Sequence, residues 1–235
     1  MLTNNKKPFF LAALFFALIT TIIIIAWFRY GFIYGGGDVG LPSYDPGRIL
    51  EITKFVWWEA SAPGTTVPHG LTSVPFQFIQ SLLQGIGLPY VAIQALFFAT
   101  ILFLMGFGMF LLGIQVFEKN KFYLAILAGL FYMFNPYMMI QVWHRFVHTT
   151  FFLAATLPFI FLSWRKWIQS GKLVFLLGFL LINFFGVYLY GTFAFLITIF
   201  IFLLTVSLYE IFFPWENFNK AGLITFRLSA GFILL

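Results

Sequence analysis

Seven apolar stretches divide the chain, at residues 9–28, 89–117, 122–134, 147–164, 173–190, 192–213 and 221–235. An α-helix crosses the roughly 30 Å of bilayer hydrocarbon with about 20 apolar residues, so most of these are long enough, or nearly so, to be spans. The pattern predicts an all-α fold, a polytopic transmembrane bundle of about seven spans. The third stretch meets Asn135-Pro136. A residue before proline avoids the helical region, which predicts a break or kink there, with helix resuming over 137–143. The last stretch offers only 15 residues after Lys220, too few to cross. The expectation is a single transmembrane domain over 1–235 that forms the N-terminal part of a longer protein, with the last span incomplete.

The interval 29–88 breaks the apolar pattern and should be one polar loop carrying interfacial helices. Asp45-Pro46 is a helix start, because aspartate caps free N–H groups and proline fits the first turn. Over 48–59 the residues Ile49, Ile52, Phe55 and Val56 recur at helical spacing, with Arg48, Glu51 and Lys54 off that stripe. That is an amphipathic surface helix, and Trp57 and Trp58 suit a membrane interface. A turn-rich piece at 62–70 leads to a short apolar helix over 76–86, ended by Gly85, Gly87 and Pro89. It is too short to span, and interfacial or re-entrant placement fits it.

Composition removes the soluble alternative. Hydrophobic residues make up 62%, charged residues 9%, and mean hydropathy is +0.98; a soluble domain carries about 25% charged residues. The net charge of +6 does not point to nucleic acid, because the basic residues fall in short loops. With the N-terminus inside, Lys6, Lys7, Lys119, Lys121, Arg165, Lys166, Lys172 and Lys220 are cytoplasmic, eight against the four of Arg29, Arg48, Lys54 and Arg145 outside. The excess of Lys and Arg in cytoplasmic loops sets that orientation. The expected localisation is a multi-pass cell-membrane protein with a cytoplasmic N-terminus. There are no cysteines, which removes disulfides, thiolate zinc sites and thiol nucleophiles.

Candidate chemistry concentrates in the first loop. Asp38 follows Gly35-Gly36-Gly37 close to the outer end of the first span. Alone it reads as a solvated loop acid; the functional reading is a general base, or a carboxylate that orients an acceptor hydroxyl, at the membrane surface. Asp45 is the second candidate acid, with helix capping as its plainer role. His144, Arg145 and His148 form an outer polar turn. Arginine offers a fork of donors that fits phosphate, while the same cluster also serves as an interfacial anchor. His69 could join an outer site. The i, i+4 spacing of His144 and His148 lacks the third ligand a metal site needs, so no metal ligand is assigned. No Walker phosphate loop, Gly-x-Ser-x-Gly elbow or His-Glu-x-x-His motif occurs. Few ionisable residues lie in the spans, which weighs against ion-coupled transport.

The order of these features resembles the N-terminal half of GT-C membrane glycosyltransferases. Asp45-Pro46-Gly47-Arg48-Ile49-Leu50, Trp57-Trp58, Pro75-Phe76, Gly87-Leu88-Pro89 and Phe134-Asn135-Pro136-Tyr137 look most like the arabinofuranosyltransferase D group. The chain differs in placing Gly-Gly-Gly before the acid and in lacking an adjacent second carboxylate. The resemblance implies an inverting enzyme that transfers sugar from a polyprenyl-phosphate donor to a cell-envelope glycan or glycoconjugate outside the membrane. The family's catalytic first-loop carboxylate would map to Asp38, with Asp45 second. Partners would be membrane lipid, the lipid-linked sugar donor and the glycan acceptor. No cofactor is assigned, and a divalent metal is compatible with the chemistry. The alternatives are a transporter or lipid-carrier flippase, suggested by the Asn135-Pro136 break, and a non-catalytic scaffold.

Overall fold

A computed structural model describes residues 7–35, 45–55, 57–58, 65–66, 68–117, 122–145 and 147–212. Asp38 and the 221–235 stretch lie outside the described residues. Among those described, five helices are long and apolar enough to cross a membrane: α1 (Lys7–Phe28), α5 (Tyr90–Val116), α6 (Phe122–Phe134) continued to Gln141, α8 (His148–Ser170) and α10 (Phe193–Phe212). The protein is therefore a helical membrane protein. Between α1 and α5 come α2 (Pro46–Thr53), α3 (Pro68–Thr72) and α4 (Val74–Gly85); α7 (Pro136–Met138) follows α6, and α9 (Leu173–Phe185) follows α8.

Side-chain contacts fix the directions. Phe9 meets Phe110 and Trp27 meets Phe98, so α1 and α5 are antiparallel. Phe98 meets Phe151, and the backbone of Gly108 lies against Phe159, so α5 and α8 run the same way. One end of the bundle thus carries the first loop, and the other carries Lys7, Arg165 and Lys172. The central helix is α8, which buries 61% of its most apolar stretch against 17% for α1 and for α10. Burial elsewhere falls on two clusters, one among α1, α5, α6 and α8 and one among α4, α8, α9 and α10.

The Asn135-Pro136 break is real and is capped from both sides by one residue. Asn135 is extended, with ψ 156°; its Nδ2 donates to Tyr132 O (2.9 Å) and its Oδ1 accepts from Met138 N (3.1 Å). Helix resumes in α7 and continues as a π-helical stretch, Met139–His144. A second proline, Pro158, sits inside α8. It has no N–H for the carbonyl four residues back, Ala154 O. The Tyr132 hydroxyl of α6 donates to that carbonyl at 3.0 Å. Tyr132→Phe is expected to orphan it and cost about 1–3 kcal/mol, read as a lower melting temperature in detergent. An unchanged melting temperature would mean that the bond is not needed.

The expected span 173–190 is a composite. Helix α9 stops at Phe185, where Gly186 lies against Thr156 so closely that a Cβ would come within 2.8 Å of its methyl. A 3-10 segment, Val187–Gly191, carries the chain on. Thr192 Oγ1 then donates to Thr149 Oγ1 at 3.1 Å, so α9 and the 3-10 segment together run the length of α8. Gly171, at φ 67°, makes the left-handed turn that starts this return. At the opposite end Trp164 Nε1 donates to Ser207 Oγ (3.0 Å) and Arg165 pairs with Glu210 (2.7 Å), tying α10 to α8.

The first loop departs from expectation in one place. Helix was expected over 48–59, but α2 ends at Thr53, and Trp57–Trp58 pair with Thr65–Thr66 in a two-residue antiparallel ladder. The Thr53 hydroxyl bonds back to Ile49 O (2.9 Å), and the run Phe55, Val56, Trp57, Trp58 is β-branched and aromatic, the composition that favours extended chain. Phe55 is exposed rather than on a helical stripe.

Candidate functional site

The first-loop end is assembled by side-chain amides. Asp45 Oδ1 accepts from Arg48 N (3.1 Å), capping α2, and also from Gln84 Nε2 (3.2 Å), while Gln84 Oε1 accepts from Gly47 N (2.9 Å). One glutamine at the end of α4 therefore clamps the start of α2. The bond from Arg48 N, followed by that from Gln84, holds the Asp45 carboxyl below its ordinary value. Asp45 stays ionised and engaged as a cap.

A second amide anchors the start of the loop. Gln94 Oε1 accepts from Tyr34 N (2.7 Å), Gln94 Nε2 donates to Tyr34 O, and the Tyr34 hydroxyl donates to Trp27 O (2.7 Å). The segment just before Gly35 is thereby pinned to the first turns of α5.

Beside this anchor lies an open groove of about 460 Å³ between α4, α5, α8 and α9. Along α5 its wall runs from Ile93 to Leu104, about 16 Å at 1.5 Å per residue. That is half of a roughly 30 Å hydrocarbon layer, one leaflet deep. The lining is apolar apart from three side chains. Thr100 Oγ1 donates to Leu96 O (2.8 Å) and Thr156 Oγ1 to Phe152 O (2.6 Å), so both hydroxyls are satisfied within their own helices. The third is Gln80 of α4, 4% exposed, whose Oε1 is buried with no hydrogen-bond partner among the described residues. The groove offers hydrocarbon contact along its length and one amide at its first-loop end.

Among the described candidates, His148, His144 and Arg145 have different surroundings. His148 begins α8 with its ring packed among Phe76, Phe97, Phe151 and Tyr188, at centroid distances of 5.7 to 6.1 Å, as part of the aromatic wall above the groove. His144 is exposed at the end of the π-helical stretch, and Arg145 is half-buried with Nη1 3.4 Å from Gln141 Oε1. His69 falls in α3, whose Thr72 lies near Gly191 of the 3-10 segment. Among the described residues no three His, Asp or Glu side chains gather in a way that could hold a metal ion.

The features missed in the sequence are glutamines. Gln77, Gln80 and Gln84 repeat at i, i+3 and i+7 along α4, whose other polar side chain is Ser81. Amides on the buried face of a membrane helix are the signal that could have found them, because each needs a partner.

No protein-family model, characterised protein or solved structure matches the chain.

Proposed function

We propose that this protein is an integral membrane glycosyltransferase of the GT-C type, moving a sugar from a polyprenyl-phosphate donor to a cell-envelope glycan or glycoconjugate on the extracytoplasmic side. The observation that carries the reading is the one-leaflet groove lying next to the pinned start of the first loop. Ile93 lines the groove and its neighbour Gln94 holds Tyr34. Four residues of chain reach at most about 14 Å, so covalent length alone limits how far Asp38 can lie from that anchor.

In this reading α9 with the 3-10 segment is a crossing, which makes six with the five long helices, and α2 and α4 are interfacial. The N-terminus is cytoplasmic, as the distribution of lysine and arginine favours. One polyprenyl chain lies in the groove from the outer leaflet, its phosphate at the first-loop end, where Arg145 and exposed His144 supply donors. His148 contributes apolar wall rather than a phosphate contact. Asp38 takes the proton of the acceptor hydroxyl as that oxygen forms its bond to the anomeric carbon. The bond from that carbon to the lipid-phosphate oxygen breaks, the lipid phosphate leaves with the electron pair, and the configuration inverts. Because the phosphate leaves as a stable anion, one base and local positive charge meet the chemical need.

The test is a polyprenyl phosphate carrying diazirines along its isoprenoid chain, photolysed with the protein in phospholipid vesicles and mapped by peptide sequencing. Labelling should concentrate on residues 93–104 of α5 and 152–159 of α8, with competition by unlabelled polyprenyl phosphate. Uniform labelling of the exposed faces of α1 and α10, without competition, would remove the groove from the account.

A further inference from the structure

Two polar side chains on α4 are buried without the partner that burial demands. Gln77 is 5% exposed and Gln80 is 4% exposed, and the Oε1 of each has no hydrogen-bond partner among the described residues. A buried acceptor left unpaired destabilises a fold, whereas an apolar side chain of similar shape in its place does not. The two differ in what they face: Gln80 lines the groove and Gln77 does not. The α4 helix lies at the first-loop end of the groove, where a lipid's head group would sit, and among the described residues the other polar side chains of the lining, Thr100 and Thr156, are both hydrogen-bonded.

We infer that Gln80 binds a sugar hydroxyl of a lipid-linked sugar whose chain occupies the groove, an assignment that depends on the lipid-donor reading above. A phosphate oxygen only accepts hydrogen bonds and cannot satisfy an orphaned Oε1. A sugar hydroxyl donates, so it supplies the hydrogen bond that Oε1 lacks. Gln80 thereby distinguishes the glycosylated lipid from the bare lipid phosphate that remains after transfer. The residue costs stability in the empty protein and recovers it when the donor binds, the pattern expected of a binding residue rather than a structural one.

The experiment uses the protein in nanodiscs, with farnesyl phosphate and the farnesyl-phosphoryl derivatives of mannose, glucose and arabinose as probes. Wild type should bind at least one glycosylated probe more tightly than farnesyl phosphate. Gln80→Leu should raise the melting temperature of the empty protein by about 2–4 °C. The same change should weaken the preferred glycosylated probe about tenfold, the loss of one buried hydrogen bond, and leave farnesyl phosphate unaffected. Gln77→Leu should also raise the melting temperature while leaving both affinities as they were. A lower melting temperature in Gln80→Leu, or an unchanged affinity for the glycosylated probe, overturns the assignment of Gln80. Binding of farnesyl phosphate with no preference for any sugar also overturns it but leaves the lipid groove standing. If no probe binds wild type, the lipid-donor reading fails and the inference fails with it.

Discussion

Leucine in place of Gly129 is expected to prevent the protein from accumulating in a folded form. The first core cluster is built around Phe16 of α1, which is fully buried in a notch where α5 and α6 pass closely. The notch exists because Gly106 and Gly129 have no side chains. A Cβ on Gly129 would overlap the Phe16 ring and come within 2.7 Å of Gly106 O; a Cβ on Gly106 would meet both Phe16 and Met133 Sδ at 2.5 Å. A flexible side chain can move aside, but a backbone carbonyl inside a helix cannot. In a bilayer, close approach of backbones is a main source of helix attraction, so small residues here matter more than helix propensity. Overpacking costs about 1–3 kcal/mol for modest insertions and more for larger ones. Gly129→Ala should therefore lower the melting temperature measurably, and Gly129→Leu should abolish the monodisperse peak in size-exclusion chromatography. The control is Gly178 on α9, where a Cβ would meet nothing within 4 Å. Gly178→Ala should be neutral or stabilising by about 0.5–1 kcal/mol. Equal tolerance at 129 and 178 would contradict the packing described.

Asn in place of Asp38 should reduce sugar transfer by about 10²–10⁴-fold, the contribution general bases make, with expression and melting temperature unchanged. Asparagine keeps the size of aspartate and one acceptor oxygen, replaces the other with an NH2 donor, and does not accept the acceptor's proton at neutral pH. Asp45→Asn gives the contrast. Asp45 is held by Arg48 N and Gln84 Nε2 as a cap, and asparagine caps helices about as well as aspartate, so transfer and stability should both survive. Loss of transfer in Asp45→Asn with full transfer in Asp38→Asn would exchange the roles of the two carboxylates.

Much of the helical architecture was legible because bilayer crossing imposes length and apolarity on contiguous residues. The stretch 89–117 became α5 (Tyr90–Val116) and 122–134 became α6 with the same bounds. The cap at Asp45 and the break at Asn135 were legible for a local reason, since each is set by a residue and the proline beside it. Helix α2 was overextended because apolar spacing at 49, 52, 55 and 56 suits a helix, while Val56, Trp57 and Trp58 also suit a strand; pairing with Thr65–Thr66, residues apart in sequence, decided between them. The groove was not legible at all. Its walls come from four helices, brought together where Gly108 of α5 meets Phe159 of α8 and where Gly186, after α9, meets Thr156 of α8, contacts that leave no periodic trace. The grouping of His144, Arg145 and His148 was a reading of sequence proximity, and the turn into α8 sends His148 into the aromatic wall.

The most direct measurement is transfer itself. Purified protein reconstituted in vesicles is given polyprenyl-phosphate sugars labelled in the sugar, with cell-envelope glycan as acceptor on the first-loop side. The expected result is label covalently attached to the glycan with inverted anomeric configuration and release of polyprenyl phosphate. Movement of the intact labelled lipid between leaflets with no label on the glycan would contradict the account and establish a transporter instead.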